Sequence, residues 1–225
     1  MRRLALLLLV VLAVPALAMA ADSDPKRKIN SADERKAGAV VLKRADLSAG
    51  WKKTSSPNTD DDDLVCPYYA PKGSDLTLTG DAEAEFEQAG GFPSVYSYAD
   101  VYATPKDAAA AWTRTVKVAA ARCFADVFKK ESASDPTTKV TGVKHGAIAF
   151  PKVAPRTAAF RVALTVAVTQ NGETQKIPLS LHIVVVGRGR AEAGLMTFAP
   201  SPGVAAPDLR AFAKLMADRM KVAGF

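Results

Sequence analysis

The stretch from Phe160 to Val185 constrains the fold more than any other part of the chain. Phe160, Val162, Leu164, Val166 and Val168 recur at every second position, Asn171-Gly172 interrupts, and Ile177, Leu179, Leu181, Ile183 and Val185 resume the same period. A two-residue period lines one strand face with apolar side chains, and Asn-Gly accepts the positive φ angles of a tight turn. The pattern predicts a long antiparallel hairpin at the centre of a sheet. Its second face carries Ala163, Thr165 and Ala167 beside Ser180 and His182, small or polar residues that suit either a closely packed helix or a shallow concavity.

Other segments repeat the alternation. Ala82, Ala84 and Phe86 alternate with Glu83, Glu85 and Glu87, and Gly90-Gly91 turns the chain. Val95, Ser97, Ala99 and Val101 then alternate with Tyr96, Tyr98, Asp100 and Tyr102, which gives an antiparallel partner with a tyrosine stripe. A last strand is expected near Ala191 to Phe198. Three helices flank these strands. The first opens on a capping box of Ser31 and Glu34 and continues through Ala37, Val40, Val41 and Ala45. The second has Thr104 as its cap and one continuous face of Trp112, Val116, Ala119, Cys123 and Val127; the third presents Leu209, Phe212, Met216 and Met220. Tight turns without repeated strand-helix-strand crossovers favour an α+β fold, a mainly antiparallel sheet with about three helices in a single domain over 31–225.

The N-terminus reads as a signal peptide over 1–20. Arg2 and Arg3 precede an apolar run from Leu4 to Val14, and Ala18-Met19-Ala20 is a small-x-small cleavage site. The run is too short for a membrane span, so the mature chain is expected to be secreted or extracytoplasmic in the cell envelope, with no membrane span. Residues 21–30, polar and without periodicity, read as a flexible leader. Cys66 and Cys123 are the only cysteines and neither stands in a Cys-x-x-Cys pair, so in an oxidising compartment they are expected to form a disulfide.

Charge narrows the partners. The formal net charge is +7. Residues 60–87 carry nine acids against Lys72 alone, whereas 139–225 carry twelve bases against four acids. The bases are dispersed singly without aromatic interleaving, so no nucleic acid partner is expected. Asp60 to Asp63 lacks the ligand spacing and sharp-turn glycine of a calcium loop, so no metal site is read there.

The sequence has no Gly-x-Ser-x-Gly elbow, no His-Glu-x-x-His and no glycine-rich phosphate loop, and it has two histidines, His145 and His182. No catalytic residue and no cofactor are assigned. Two classes of function lead: a non-catalytic, sensor-like binding domain for a small molecule or cell-envelope component, or an extracytoplasmic enzyme with a scattered site involving His182; a structural or interaction protein with no ligand is the third. The candidate ligand-binding residues are Ala163, Thr165, Ser180 and His182 on one face, or Tyr96, Tyr98 and Tyr102 on the other. A carboxylate converging on His182 favours the enzyme; an apolar groove favours binding.

The element order, the Asp46-Leu47-Ser48-Ala49-Gly50-Trp51 segment after the first helix, a cysteine before the first hairpin and another late in the central helix resemble secreted actinobacterial domains. These are the PknH-type extracellular sensor domains and the related PsbP-like secreted proteins. The resemblance implies a helix-flanked antiparallel sheet and a ligand-sensing or envelope role without catalysis. Sensor domains of that kind carry two disulfides, whereas the two cysteines here allow one, and no family ligand residue is carried over.

Overall fold

The structure is a computed structural model and describes residues 24–54 and 66–225. The signal segment, the first three residues of the leader and the Asp60–Asp63 run lie outside the described residues.

The long hairpin forms as its pattern requires. Strands Arg156–Gln170 and Glu173–Arg188 (β6 and β7 in chain order) pair in register from Arg156↔Gly187 to Gln170↔Glu173. Asn171 and Gly172 both take positive φ, 51° and 81°, the backbone that a two-residue turn between right-twisted strands demands. The hairpin is not the centre of the sheet, however. The remaining strands are β1 (Lys26–Arg27), β2 (Lys52–Thr54), β3 (Thr77–Glu87), β4 (Ser94–Tyr102), β5 (Thr138–Ala147) and β8 (Ala191–Pro200). They assemble in the order β1-β3-β4-β8-β7-β6-β5, with β2 also against β3. The middle position belongs to β8, which pairs antiparallel with both β4 and β7. Every residue of β8 except Pro200 is buried, as a strand covered on both faces must be.

Among the described residues four α-helices cover the sheet: α1 (Ser31–Val40), α2 (Pro105–Thr115), α3 (Val118–Ser132) and α4 (Ala206–Val222). Helices α1 and α4 bury Ala37, Val40, Leu209, Ala213, Met216 and Met220 against Ala84, Phe86, Val95, Val184, Val186 and Leu195. On the other face, α3 buries Phe124 and Phe128 against Val162, Leu164, Leu181, Ile183 and Phe198. Adjacent β7 residues therefore enter different cores: even positions face α4 and odd positions face α3. The α+β class with a mainly antiparallel sheet is as expected. Trp51, 7% exposed, packs into the α1/α4 core.

Three local expectations are corrected. The cap of α1 is Asn30 rather than Ser31: the Asn30 side chain accepts from the Asp33 amide at 3.0 Å, one residue ahead of the supposed capping box. The single central helix is two. Thr104 caps it as read, its Oγ1 accepting from the Asp107 amide at 3.0 Å, but helical dihedrals stop at Thr115. There Thr113 and Thr115 hydroxyls donate back to the carbonyls of Ala109 and Ala111, and the Thr115 carbonyl is taken by Tyr69 Oη at 2.8 Å. The buried face restarts on a new phase at Ala121, Phe124, Ala125 and Phe128, leaving Val127 half-buried. Finally, the end of the leader joins the sheet. Amides of Lys26, Lys28 and Asn30 donate to the carbonyls of Leu76, Leu78 and Thr79, a parallel edge pairing made by backbone alone and so invisible to hydrophobic periodicity.

Cys66 and Cys123 are joined as a disulfide with their Cα atoms 5.7 Å apart. The bond ties the segment ahead of β3 to the buried face of α3.

Candidate functional site

The period of β6 and β7 places the candidate residues. Ala163 lies opposite Ser180, Thr165 opposite Pro178, Ala167 opposite Lys176 and Arg161 opposite His182, all on the face that α4 partly covers. Ser180 is fully buried and its Oγ accepts from Arg161 Nη2 at 2.9 Å. His182 is 6% exposed, and its Nδ1 is buried without a hydrogen-bond partner. Burial, and secondarily the Arg161 charge, hold the imidazole below the ordinary histidine pKa, so the ring is neutral at neutral pH.

His182 forms part of the wall of an open cleft of about 550 Å³. Three segments complete it: Ile148–Pro151 after β5, Pro202–Ala205 after β8, and the start of α4 with Leu209 and Arg210. Gly203, at φ +95°, closes over the imidazole. A Cβ there would lie 2.5 Å from His182 Cε1 and 3.0 Å from Ser180 Cβ, so the backbone approaches this closely only because the side chain is absent. The lining is largely apolar, with Ile148, Phe150, Val204 and Leu209, and its charged member is Arg210. Among the described residues no carboxylate lines the cleft.

Ala163 and Thr165 share the His182 face but lie farther along the strands toward the hairpin turn and do not line the cleft. Sequence reading therefore located one wall residue, His182, and missed the two loops and Arg210. The available signal was Pro202-Gly203 directly before a helix, a dipeptide that turns the chain back over its own strand.

The tyrosines occupy the opposite face. Tyr96 Oη donates to Glu83 Oε2 at 2.7 Å, Tyr98 stands beside Gly194 on β8, and Tyr102 is buried with Leu76, Leu78, Ala108 and Ala111. A Cβ on Gly194 would fall 2.0 Å from the Tyr98 ring, so this ring occupies space that another β8 residue would fill. Asp100 faces Glu192 across β4 and β8, and Arg156 reaches the carbonyl of Ala191. Among the described residues no group of three or more His, Cys, Asp or Glu side chains is placed to hold a metal ion.

No family model matches the chain, and no curated protein matches it. Among solved structures, the extracellular domain of PknH from Mycobacterium tuberculosis superposes with a TM-score of 0.44 at 12% identity, covering 84% of this chain and 96% of that one. That is a loose resemblance and specifies neither a ligand nor an activity for this chain. Among the described residues no helix is long and apolar enough to cross a membrane.

Proposed function

We propose that this chain is a non-catalytic, sensor-like binding domain that works outside the cytoplasm and holds a small molecule or envelope component in the cleft beside His182. The observation that carries the reading is the lining of the cleft: apolar side chains around a single neutral imidazole, with no carboxylate among the described residues converging on it. General acid–base or nucleophilic chemistry at His182 needs an orienting acid and a nucleophile, and Ser180 is turned to Arg161 beneath the surface. An open, mostly apolar concavity with few polar groups is instead the ordinary form of a small-molecule site. The Cys66–Cys123 bond supports an oxidising compartment.

The reading is tested by recovering the protein from its native source without denaturation and identifying released small molecules by mass spectrometry. Wild-type protein should release a bound molecule, and Ala206→Trp, which fills the cleft from an exposed position, should release none. Nothing released by the wild type, or equal release by Ala206→Trp, overturns the cleft. Loss with Tyr96→Ala instead moves the site to the tyrosine face.

A further inference from the structure

We infer that the part of the sheet face left open beside α4, on β5, β6 and β7, is a docking track for an acidic polysaccharide, which lies along β6 between four cationic side chains, Lys139, Lys144, Arg161 and Lys176. The inference goes beyond the His182 cleft and does not depend on it.

The register of the strands builds the track. Ala163, Thr165 and Ala167 follow one another along one face of β6. Lys144, Gly142 and Lys139 of β5 oppose them on one side, and Ser180, Pro178 and Lys176 of β7 on the other. Arg161 Nη2 donates to Ser180 Oγ at 2.9 Å, which brings the guanidinium to the level of Ala163. The cations therefore stand in two facing pairs, Lys144 with Arg161 across Ala163, and Lys139 with Lys176 across Ala167. By the ordinary dimensions of a sheet, the backbones of β5 and β7 are about 10 Å apart and the two levels are about 14 Å apart along β6. Long side chains at the rim and small ones along the floor make a shallow trough. Ala163 and Thr165 are only half-buried in it, and Ala163 belongs to no apolar core.

The charge of the trough is unopposed. Among the described residues none of the four cations forms an ion pair, and by strand alternation no acid shares this face of β5, β6 or β7. Glu173 falls on the opposite face of β7, and the Asp135 carboxylate ahead of β5 accepts from the amide and hydroxyl of Thr137 at 2.8 and 2.7 Å. Such a field concentrates anions, and a polymer that meets both pairs at once gains from each weak contact. The rest of the surface selects the kind of polyanion. The exposed large apolar side chains, Tyr68, Val118, Val143 and Val222, lie off this face, so it has no apolar wedge for a bilayer. It carries no aromatic ring on which a nucleobase could stack. What it adds to its charge is hydroxyl groups, Thr165 on the floor and Thr169 and Thr174 at the end, which match the hydroxyls of a sugar chain.

The test titrates an oligogalacturonate, and a neutral maltooligosaccharide of the same length, into the isotope-labelled chain while backbone amide shifts are followed by NMR. The acidic oligomer should shift amides of residues 139–144, 163–167 and 176–180, less so as salt is added, and the neutral one should not. Lys139→Gln, Lys144→Gln and Lys176→Gln combined, none of them at a buried position, should weaken binding about tenfold. Lys106→Gln, Lys129→Gln and Lys221→Gln combined remove the same charge from exposed positions elsewhere and should change it by less than about twofold. Ala206→Trp, which fills the cleft, should bind the oligomer as the wild type does, so the track and the cleft can fail separately. No binding of the oligogalacturonate, equal losses in the two triple variants, or loss with Ala206→Trp overturns the track. Tighter binding of phosphatidylglycerol vesicles or duplex DNA at the same lysines overturns the polysaccharide as its occupant.

Discussion

Arg190 grips Asp33 with both arms of its guanidinium, Nη2 to Oδ1 at 2.8 Å and Nη1 to Oδ2 at 3.1 Å, linking the β7–β8 turn to the first helix. The same Nη1 also donates to the Tyr102 carbonyl at 2.8 Å, and Thr79 and Asn30 donate to Asp33 Oδ2. Asp33 is 7% exposed, so removing the cation leaves a buried carboxylate short of its main donors. Asp33→Ala should lower unfolding stability by about 3 kcal/mol and Arg190→Ala by about 2 kcal/mol, read from urea titrations near neutral pH. The Arg190 hydrogen bonds, helped by those from Thr79 and Asn30, hold the Asp33 pKa well below the usual carboxylate range. A depressed native pKa means that this stabilisation is complete above the ordinary value of 3.8 and is lost as the pH falls below it. Wild type and Asp33→Ala should therefore converge in acid, and a gap that stays constant with pH contradicts the ion pair.

Glu192 has the opposite linkage. It is 4% exposed, one carboxylate oxygen has no partner, and burial, followed by the Asp100 charge across the strand, raises its pKa from 4.5 to about 8, against the opposing pull of Arg156. A raised native pKa means that the folded chain holds the proton more tightly than the unfolded chain, so stability is greatest below 4.5 and declines as the pH rises toward 8. Between about pH 5 and pH 8 the decline from this group should be on the order of 2 kcal/mol. Glu192→Gln should reduce the slope over that interval, leaving the part due to Asp100, whose pKa burial raises to about 7. An unchanged slope in the variant places the titration elsewhere.

The disulfide closes a sequence separation of 57 residues. In the chain-entropy model that constraint is worth about 4 kcal/mol. Replacing both cysteines by alanine should lower the urea midpoint accordingly without abolishing the sheet, because Cys66 anchors a segment that precedes β3 rather than a strand of the core. A double variant as stable as the oxidised protein contradicts this.

Gly194→Ala should cost about 2 kcal/mol, since its Cβ would overlap the Tyr98 ring and force ring or strand aside. Gly146→Ala is the matched control: no atom lies within 4 Å of a Cβ there, and its effect should stay within about 0.5 kcal/mol. Comparable losses in both variants would refer the effect to backbone entropy instead of the ring.

What was legible in the sequence follows the range of the interactions. The β6–β7 turn, the β3–β4 pair and the Thr104 cap are local, and the two-residue period or the cap chemistry specifies them directly. The place of β8 was not legible. Its pairing with β4 joins Val101 to Ala191 and Ser94 to Phe198, and no local pattern encodes a partner that distant. The break between α2 and α3 was missed because a helical stripe can be drawn through Val116, while the Thr113 and Thr115 hydroxyl bonds and the Tyr69 bond to the Thr115 carbonyl at the helix end have no periodic signature. Of the candidate site, His182 was found because strand alternation exposed it as an exception on its face. The loops around it come from Ile148–Pro151 and Pro202–Ala205, which converge in space only once β5 and β8 have taken their places in the sheet.

The middle place of β8 also sets the order in which the molecule can be completed. As the chain emerges from its N-terminus, β3 and β4 can pair early, and β5, β6 and β7 can form a meander of their own, yet β4 of the one and β7 of the other each keep an edge without its final partner. Among the described residues no strand pairs with both until residues 191–200 arrive and hydrogen-bond to the two at once, and α4, which packs over β7 and β8, comes later still. A chain interrupted before that point exposes two sticky strand edges instead of one finished sheet. The ten-residue strand that arrives last is in effect a zip fastener.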